Sequence, residues 1–328
     1  MTATADHVAR LQGLLDRFDA VRVAPTDAPY RWAHRHGSGG THLVFSAIIH
    51  GNEVGPVEGL VRAMEDLASG RTSFSGTATF LLGNPEAARE NVRFLEADLN
   101  RVFITDLDDD AHEVRRAKEL MPLLDAADVY FDFHQTLKPA RQPFYIFPWS
   151  EEGWLWVRAL RGAAVWVTRN PGQAFSSGMM CADEYVRDRG RPGITLELGE
   201  KGWSEDAAAN VHRCITEALA IADSDDPSAL RAAAEAKPDV TFWMTSFRQR
   251  FTDPAMTLKD GIFNFEPVTA GDALSAPGTP SLSAPLTGAV LFPKYPPRHP
   301  DGRAKDPRPG EIYRVIEQLT EHPLELWG

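Results

Sequence analysis

Leu43-Val44-Phe45-Ser46-Ala47-Ile48-Ile49-His50-Gly51-Asn52-Glu53 is the stretch on which the reading of this chain turns. Its first seven residues form a short β-rich apolar run, the pattern of a buried strand. The run ends in a histidine and a glutamate three residues apart, where the strand gives way to a loop. Further β-rich runs fall at 77–82, 128–134, 143–147, 163–167 and 193–198. Between them, apolar residues recur at helical spacing. Val57, Leu60, Val61, Met64 and Leu67 follow Pro56, which suits a first helical turn. Val114, Ala117, Leu120, Met121 and Leu124 repeat the pattern, as do Val211, Ile215, Ala218, Leu219 and Ala222. Strands alternating with helices from about residue 40 to 222 predict an α/β architecture.

Composition changes near residue 223. Asp223-Ser224-Asp225-Asp226-Pro227, a short Ala-rich helix and Lys237-Pro238-Asp239 read as a connector. Beyond it, β-rich pieces (Val240 to Met244, Gly261 to Phe265, Gly288 to Phe292) lie among Gly, Pro and Ser. The expectation is a domain of residues 1–236 followed by a small β domain of 237–328, with Pro293 to Pro309 as a surface loop. With 328 residues, 43% of them hydrophobic, the chain can bury a core of that size.

No run of about twenty apolar residues appears, which argues against a membrane span. The amino terminus lacks a basic stretch followed by an apolar segment, and Cys181 and Cys214 stand apart. Both features fit a cytoplasmic protein, and the isolation of the cysteines speaks against a thiolate metal site. A net charge of −12 disfavours nucleic acid and anionic lipid as partners. An anionic small molecule would need arginines concentrated locally. Self-association into a homo-oligomer is compatible with the sequence.

His50 and Glu53, with His134 at the end of Tyr130-Phe131-Asp132-Phe133-His134, make the ligand set of a hydrolytic zinc site. A polar turn around Gly51-Asn52 and an interior histidine are the plain alternatives. Both stretches end strands, where open α/β sheets build their sites. Asp132 and His134 lie two apart on one strand and so face the same way. Asp132 therefore either orients a ligand histidine or forms a structural ion pair. Arg93 and Asn100-Arg101 bracket a polar stretch short enough to converge on one pocket, and guanidinium groups hold carboxylates through paired hydrogen bonds. Glu197 sits inside an apolar strand, where an ionised carboxylate is costly without a partner. It is either a buried ion-pair member or an acid/base group. Trp154, Trp156 and Trp166 read as core packing.

In this order the pieces resemble the succinylglutamate desuccinylase/aspartoacylase family, zinc amidohydrolases related to the metallocarboxypeptidases. The matching text is His50-Gly51-Asn52-Glu53, Leu82-Gly83-Asn84-Pro85, and Arg93 with Asp98-Leu99-Asn100-Arg101-Val102-Phe103. Asp132-Phe133-His134 and Thr195-Leu196-Glu197-Leu198-Gly199 continue it. Phe263-Asn264-Phe265-Glu266-Pro267 and Val290-Leu291-Phe292-Pro293 look similar to the desuccinylase carboxyl-terminal domain.

The resemblance implies a mixed-sheet, zinc-carboxypeptidase-like catalytic domain with helices on both faces, plus a small C-terminal β domain. It implies one Zn2+ per chain on His50, Glu53 and His134. Glu197 takes a proton from water and returns it to the leaving amine, and Arg93 stabilises the oxyanion. Asn100 and Arg101 bind a substrate carboxylate, and Arg187, ten residues before Glu197, is a further substrate-binding candidate. The implied reaction is hydrolysis of the amide bond of an N-acyl amino acid, N-succinylglutamate or similar. A metallocarboxypeptidase and a non-catalytic metal- or ligand-binding relative are the competing readings. The chain departs from the pattern after His134, where Lys138 and Arg141 either line a solvated rim or read an extra anion. The loop of 296–309 has no counterpart, and Tyr295 and Tyr313 are candidates for a substrate-facing tyrosine.

Overall fold

A computed structural model describes residues 4–21, 30–171, 173–175, 178–224, 226–306 and 309–327. Eleven strands make one mixed sheet: β1 (Ala33–His36), β2 (His42–Ala47), β3 (Thr77–Leu82), β4 (Val129–Thr136), β5 (Phe144–Ile146), β6 (Val165–Thr168), β7 (Gly193–Glu200), β8 (Thr241–Arg250), β9 (Glu266–Val268), β10 (Gly288–Leu291) and β11 (Glu311–Gln318). They lie in the order β1-β3-β2-β4-β7-β5-β6-β8-β11-β10-β9. The centre, β3-β2-β4-β7, is parallel. Every residue of β2, β3 and β4 is buried, as parallel strands covered on both faces must be.

Alternation along these strands feeds two cores. Phe45, Phe80 and Phe131 face one way, against α1 (Ala5–Val21), α2 (Gly55–Ala68) and, through residues such as Val211 and Ile215, helix α7 (Glu205–Ala222). Val44, Leu81 and Tyr130 face the other way. They meet α4 (His112–Asp125) through Leu120, Met121 and Leu124, and α6 (Ala182–Arg187) through Tyr185. Trp156 on α5 (Glu151–Ala159) and Trp166 are buried in the first core, with Trp154 packed against it. Each large apolar side chain so buried contributes about 1.5–3 kcal/mol.

Most of the expected elements form near their expected limits. Three differ. Gly261 to Phe265 is irregular, with Phe265 at a φ of 67°, and pairing begins one residue later in β9. The strand expected from Val240 runs on to Arg250. Strand β11 carries charges among its apolar residues and shows no clean period in the sequence, yet it pairs with both β8 and β10. Because β8 pairs in parallel with β6, the sheet passes without a break into the C-terminal region. A cluster of Phe144, Val165, Val167, Leu291 and Ile316 seals that junction. Among the described residues of the loop 293–309, Pro297, His299 to Arg303, Lys305 and Asp306 are exposed, Pro293 and Ala304 are buried, and the rest are half-buried.

Candidate active site

The carboxyl ends of β2, β4 and β7 lie side by side, with Ala47 opposite Phe133 and His134 opposite Glu197. Past β2 the chain turns at Ile48, whose φ of 51° is unusual for a β-branched residue. Such strain costs on the order of 1–3 kcal/mol. The next loop offsets it: the Asn84 N–H donates to the Ile48 carbonyl at 2.8 Å and the Gly83 N–H to that of Ala47 at 2.9 Å. Gly51 then passes against α3 (Pro85–Arg89) so closely that a Cβ would meet the Ala87–Ala88 peptide at 2.4 Å. Its N–H donates to the Arg93 carbonyl at 3.0 Å, tying the first motif to the second.

This turn brings His50 and Glu53 to His134. The Nδ1 atoms of both imidazoles lie 2.8 Å from separate Glu53 oxygens, and one donor atom from each residue falls within 4.8 Å of the others. All three residues are buried. The far nitrogen of each ring is held by a carboxylate. His134 Nε2 is 2.9 Å from Asp132 Oδ2, and His50 Nε2 is 3.1 Å from Asp98 Oδ1. Asp132 is fixed in turn by the Ser46 hydroxyl, which donates to it at 2.6 Å. Carboxylates on both Nε2 atoms leave both Nδ1 atoms facing Glu53, as ligand histidines require. His50 Nδ1 is buried and, although 2.8 Å from Glu53 Oε1, makes no hydrogen bond of acceptable direction. Two imidazoles, a carboxylate and such an orphaned nitrogen fit a divalent metal.

Electrostatics agree. Burial opposes the charge on Glu53, but His50 and His134 hold its pKa below the usual carboxylate value. Burial also opposes a charged His134, yet Asp132 and Glu53 raise it well above the ordinary imidazole value.

Glu197 differs from its neighbours. Its Oε2 is buried without a hydrogen-bond partner. Burial is the main push on its pKa; Glu53 and Asp132 add to it, His134 and Arg93 oppose it, and the carboxyl is lifted to about 8. A carboxyl so poised can give or take a proton near neutral pH. Arg93 reaches Asp98 through Nε at 3.1 Å and Glu53 through Nη1 at 3.4 Å, so its guanidinium borders the cluster.

Residues 39–222 match the model of the succinylglutamate desuccinylase/aspartoacylase catalytic domain. The chain belongs to this family. A succinylglutamate desuccinylase of Pseudomonas fluorescens is 33% identical over 205 residues, 57% of this chain and 59% of that protein. The chain thus spans about three fifths of that relative's length. One of Serratia proteamaculans is 29% identical over 267 residues, 76% of this chain and 79% of its own. The X-ray structure of a Vibrio parahaemolyticus succinylglutamate desuccinylase superposes with a TM-score of 0.66 at 17% identity, covering 89% of this chain and 87% of the other. That likeness shows a shared mixed α/β fold.

Within the succinylglutamate desuccinylase/aspartoacylase frame, the remaining expected residues divide. Asn100 joins the cluster: its Nδ2 lies 3.4 Å from His134 Nε2, and its Oδ1 accepts the Ala182 N–H at 2.9 Å. Arg101 donates to the Asn100 carbonyl and the Cys181 sulfur and lies over the Phe175 ring. Arg187 is not brought to the site. Its guanidinium is held by Asp183 Oδ2 at 2.6 Å and the Gly193 carbonyl at 2.7 Å. Gly193 starts the strand on which Glu197 lies four residues further, about 13 Å along at strand rise. Spacing in sequence misleads here because α6 runs alongside the near end of β7. Lys138 lies over the Tyr295 ring at 4.5 Å and Arg141 is exposed, a rim position for both. Neither tyrosine offers its hydroxyl: Tyr295 donates to the Lys259 carbonyl and Tyr313 to that of Ser283.

Two further residues shape the site, and no sequence pattern singles them out. Glu113, fully buried, accepts the N–H groups of Leu95, Glu96 and Ala97 and the Asn84 amide, clamping the loop between Arg93 and Asp98. Gln135 donates its N–H to Glu53 at 3.0 Å, and its side chain bridges Gly55 and Glu200. The only signal for Glu113 is an acid in the first turn of a helix, a common and uninformative pattern.

Proposed function

We propose that this chain is a zinc-dependent amidohydrolase that cleaves the amide bond of an N-acyl amino acid, N-succinylglutamate or a close analogue. The observation that carries the reading is the meeting of His50, Glu53 and His134 beside a buried carboxyl, Glu197, with a free oxygen. Zinc, held by those three residues, would supply an acidified water with a pKa of about 7 and polarise the acyl carbonyl.

The chain's own groups account for the rest. Glu197 Oε2 takes a proton from the attacking water and hands it to the amine nitrogen as the C–N bond breaks. Arg93, anchored on Asp98, meets the negative charge that develops on the acyl oxygen; removing one such donor typically costs roughly 3 kcal/mol in the barrier. Arg101, steadied by the Asn100 carbonyl, binds a substrate carboxylate. In this proposal residues 1–236 carry the chemistry in a carboxypeptidase-like domain, and the β-rich 237–328 covers it. The protein works in the cytoplasm on a small anionic substrate.

Turnover of a panel of N-acyl amino acids and short peptides by zinc-loaded protein tests the reading. Release of free amino acid from the acyl compounds supports it. Cleavage of carboxyl-terminal residues from peptides alone would replace it with a carboxypeptidase. Zinc binding with turnover of neither class would leave a non-catalytic relative.

A further inference from the structure

Strand β4 turns Phe131 and Phe133 to one face and Tyr130, Asp132 and His134 to the other. Tyr130 is wholly buried, and a phenol in a dry core needs a partner for its hydroxyl. The partner stands on the neighbouring strand. Tyr130 Oη lies 2.6 Å from Ser46 Oγ, and Ser46 Oγ lies 2.6 Å from Asp132 Oδ1. The second oxygen of Asp132 is 2.9 Å from His134 Nε2. Four side chains thus form one unbroken file, and none of them is more than 2% exposed.

The sheet dictates this file. Tyr130, Asp132 and His134 follow one another along β4 in steps of about 7 Å. In the register of β2 with β4, Ser46 stands opposite Asp132 and bridges the first of those steps. The protons can be assigned. A carboxylate only accepts, so the single Ser46 proton goes to Asp132, and Tyr130 donates to Ser46. Burial, reinforced by the charge on Asp132, raises the Tyr130 pKa well above the ordinary phenol value, so that proton is present at neutral pH. In the metal-ligating tautomer His134 donates from Nε2 to Asp132, and its Nδ1 keeps a lone pair on the side of Glu53.

The two histidine arms differ. His50 Nε2 meets Asp98, whose side chain is about one fifth exposed and also holds Arg93. On the His134 arm no water competes, so each hydrogen bond is strong and polarises the next. Without the Tyr130 proton, the Ser46 oxygen is left unmet in that dry setting, and the serine is free to turn away from Asp132.

We propose that Tyr130 is a positioning residue of the metal site, acting through Ser46 and Asp132 to lock the ring orientation and tautomer of His134. It touches neither metal nor substrate, since two side chains separate it from His134. The inference rests on the reading of His50, Glu53 and His134 as metal ligands.

The test is zinc affinity at pH 7, measured by competition with a chelator. Tyr130→Phe keeps the ring and removes only the donor. Affinity should fall about three- to tenfold, less than the roughly 10–100-fold typical of a direct ligand partner. Ser46→Ala should lower it at least as much. In an Asp132→Ala background, Tyr130→Phe should change affinity no further, because its influence has lost its path. The Nε2 proton of His134, followed by NMR in zinc-loaded protein, should exchange with water faster in Tyr130→Phe than in wild type. Equal affinity in wild type and folded Tyr130→Phe, or the same loss with Asp132 present and absent, overturns the proposal and leaves Tyr130 a core residue only. Should Tyr130→Phe not fold, Ser46→Ala decides by the same measure. A wild type that binds no zinc would sink the ligand assignment itself, and the proposal with it.

Discussion

Replacing Glu113 with glutamine tests how the second motif is held against the first. In the native fold Oε1 accepts the Asn84 amide and the Leu95 N–H, at 3.0 and 2.7 Å, while Oε2 accepts the Glu96 and Ala97 N–H groups, at 3.1 and 2.9 Å. Glutamine keeps the size but removes the charge and turns one acceptor into a donor. Two charge-assisted bonds are lost, each worth about 1.5–3 kcal/mol, and the other two weaken. The loop is partly open to water, which offsets some of this, so a loss of about 3 kcal/mol is expected. Burial would raise the Glu113 pKa, but the bonds from Ala97, Leu95, Asn84 and Glu96 outweigh it and lower the pKa below the usual carboxylate value. A depressed folded pKa gives stability that is complete above the unfolded value of about 4.3 and fades as pH falls through the folded one. The variant should therefore be less stable at pH 7 and show a shallower acid limb in denaturant titrations. Amide hydrogen exchange at Leu95, Glu96 and Ala97 should accelerate. Turnover should fall at least about tenfold, because Arg93 and Asp98 flank the freed segment. Unchanged exchange at those amides would refute the clamp. Lost stability with full turnover would refute its bearing on the site.

Other expectations follow from single contacts. Glu197→Gln should keep stoichiometric zinc, measured by atomic absorption, and lose nearly all turnover; near-normal rates would remove Glu197 from proton transfer. Arg101→Ala should mainly raise KM for a carboxylate substrate, and a fall confined to kcat would reassign it to the transition state. Asp132→Asn leaves the chain's size unchanged but weakens the hold on His134 Nε2. Zinc affinity, followed by competition with a chelator, should drop roughly 10–100-fold. An unaltered affinity would make Asp132 a structural ion-pair partner only.

Much of the fold is legible in the residues because its central strands are apolar throughout. Strands β2, β3 and β4 are buried on both faces, so every position is under the same pressure and the runs stand out. Strand β11, Glu-Ile-Tyr-Arg-Val-Ile-Glu-Gln, buries Arg314 by giving it Glu311 and two aromatic rings, and that compensation is invisible along the chain. The short β1, Ala-His-Arg-His, forms through pairing with β3, not through any propensity of its own. The same limit explains Arg187. Its distance to Glu197 in residues is real, but helix α6 ends beside the start of β7, and Nη1 of the side chain is held there by Asp183 and the Gly193 carbonyl.

Residue order alone marked the apolar central strands β2, β3, β4 and β7, the helices α2, α4 and α7 that cover them, and the His50, Glu53 and His134 side chains at or just past their ends, because periodicity and burial pressure are local properties. Tertiary structure alone decided that Glu53 meets a histidine 81 positions away, that Glu197 keeps an oxygen without a partner, and that Arg101, Arg169, Arg248 and Arg314 crowd Phe175. Those outcomes depend on distances between remote segments and on how much water each group loses. Both are set only when the whole sheet has closed around its helices.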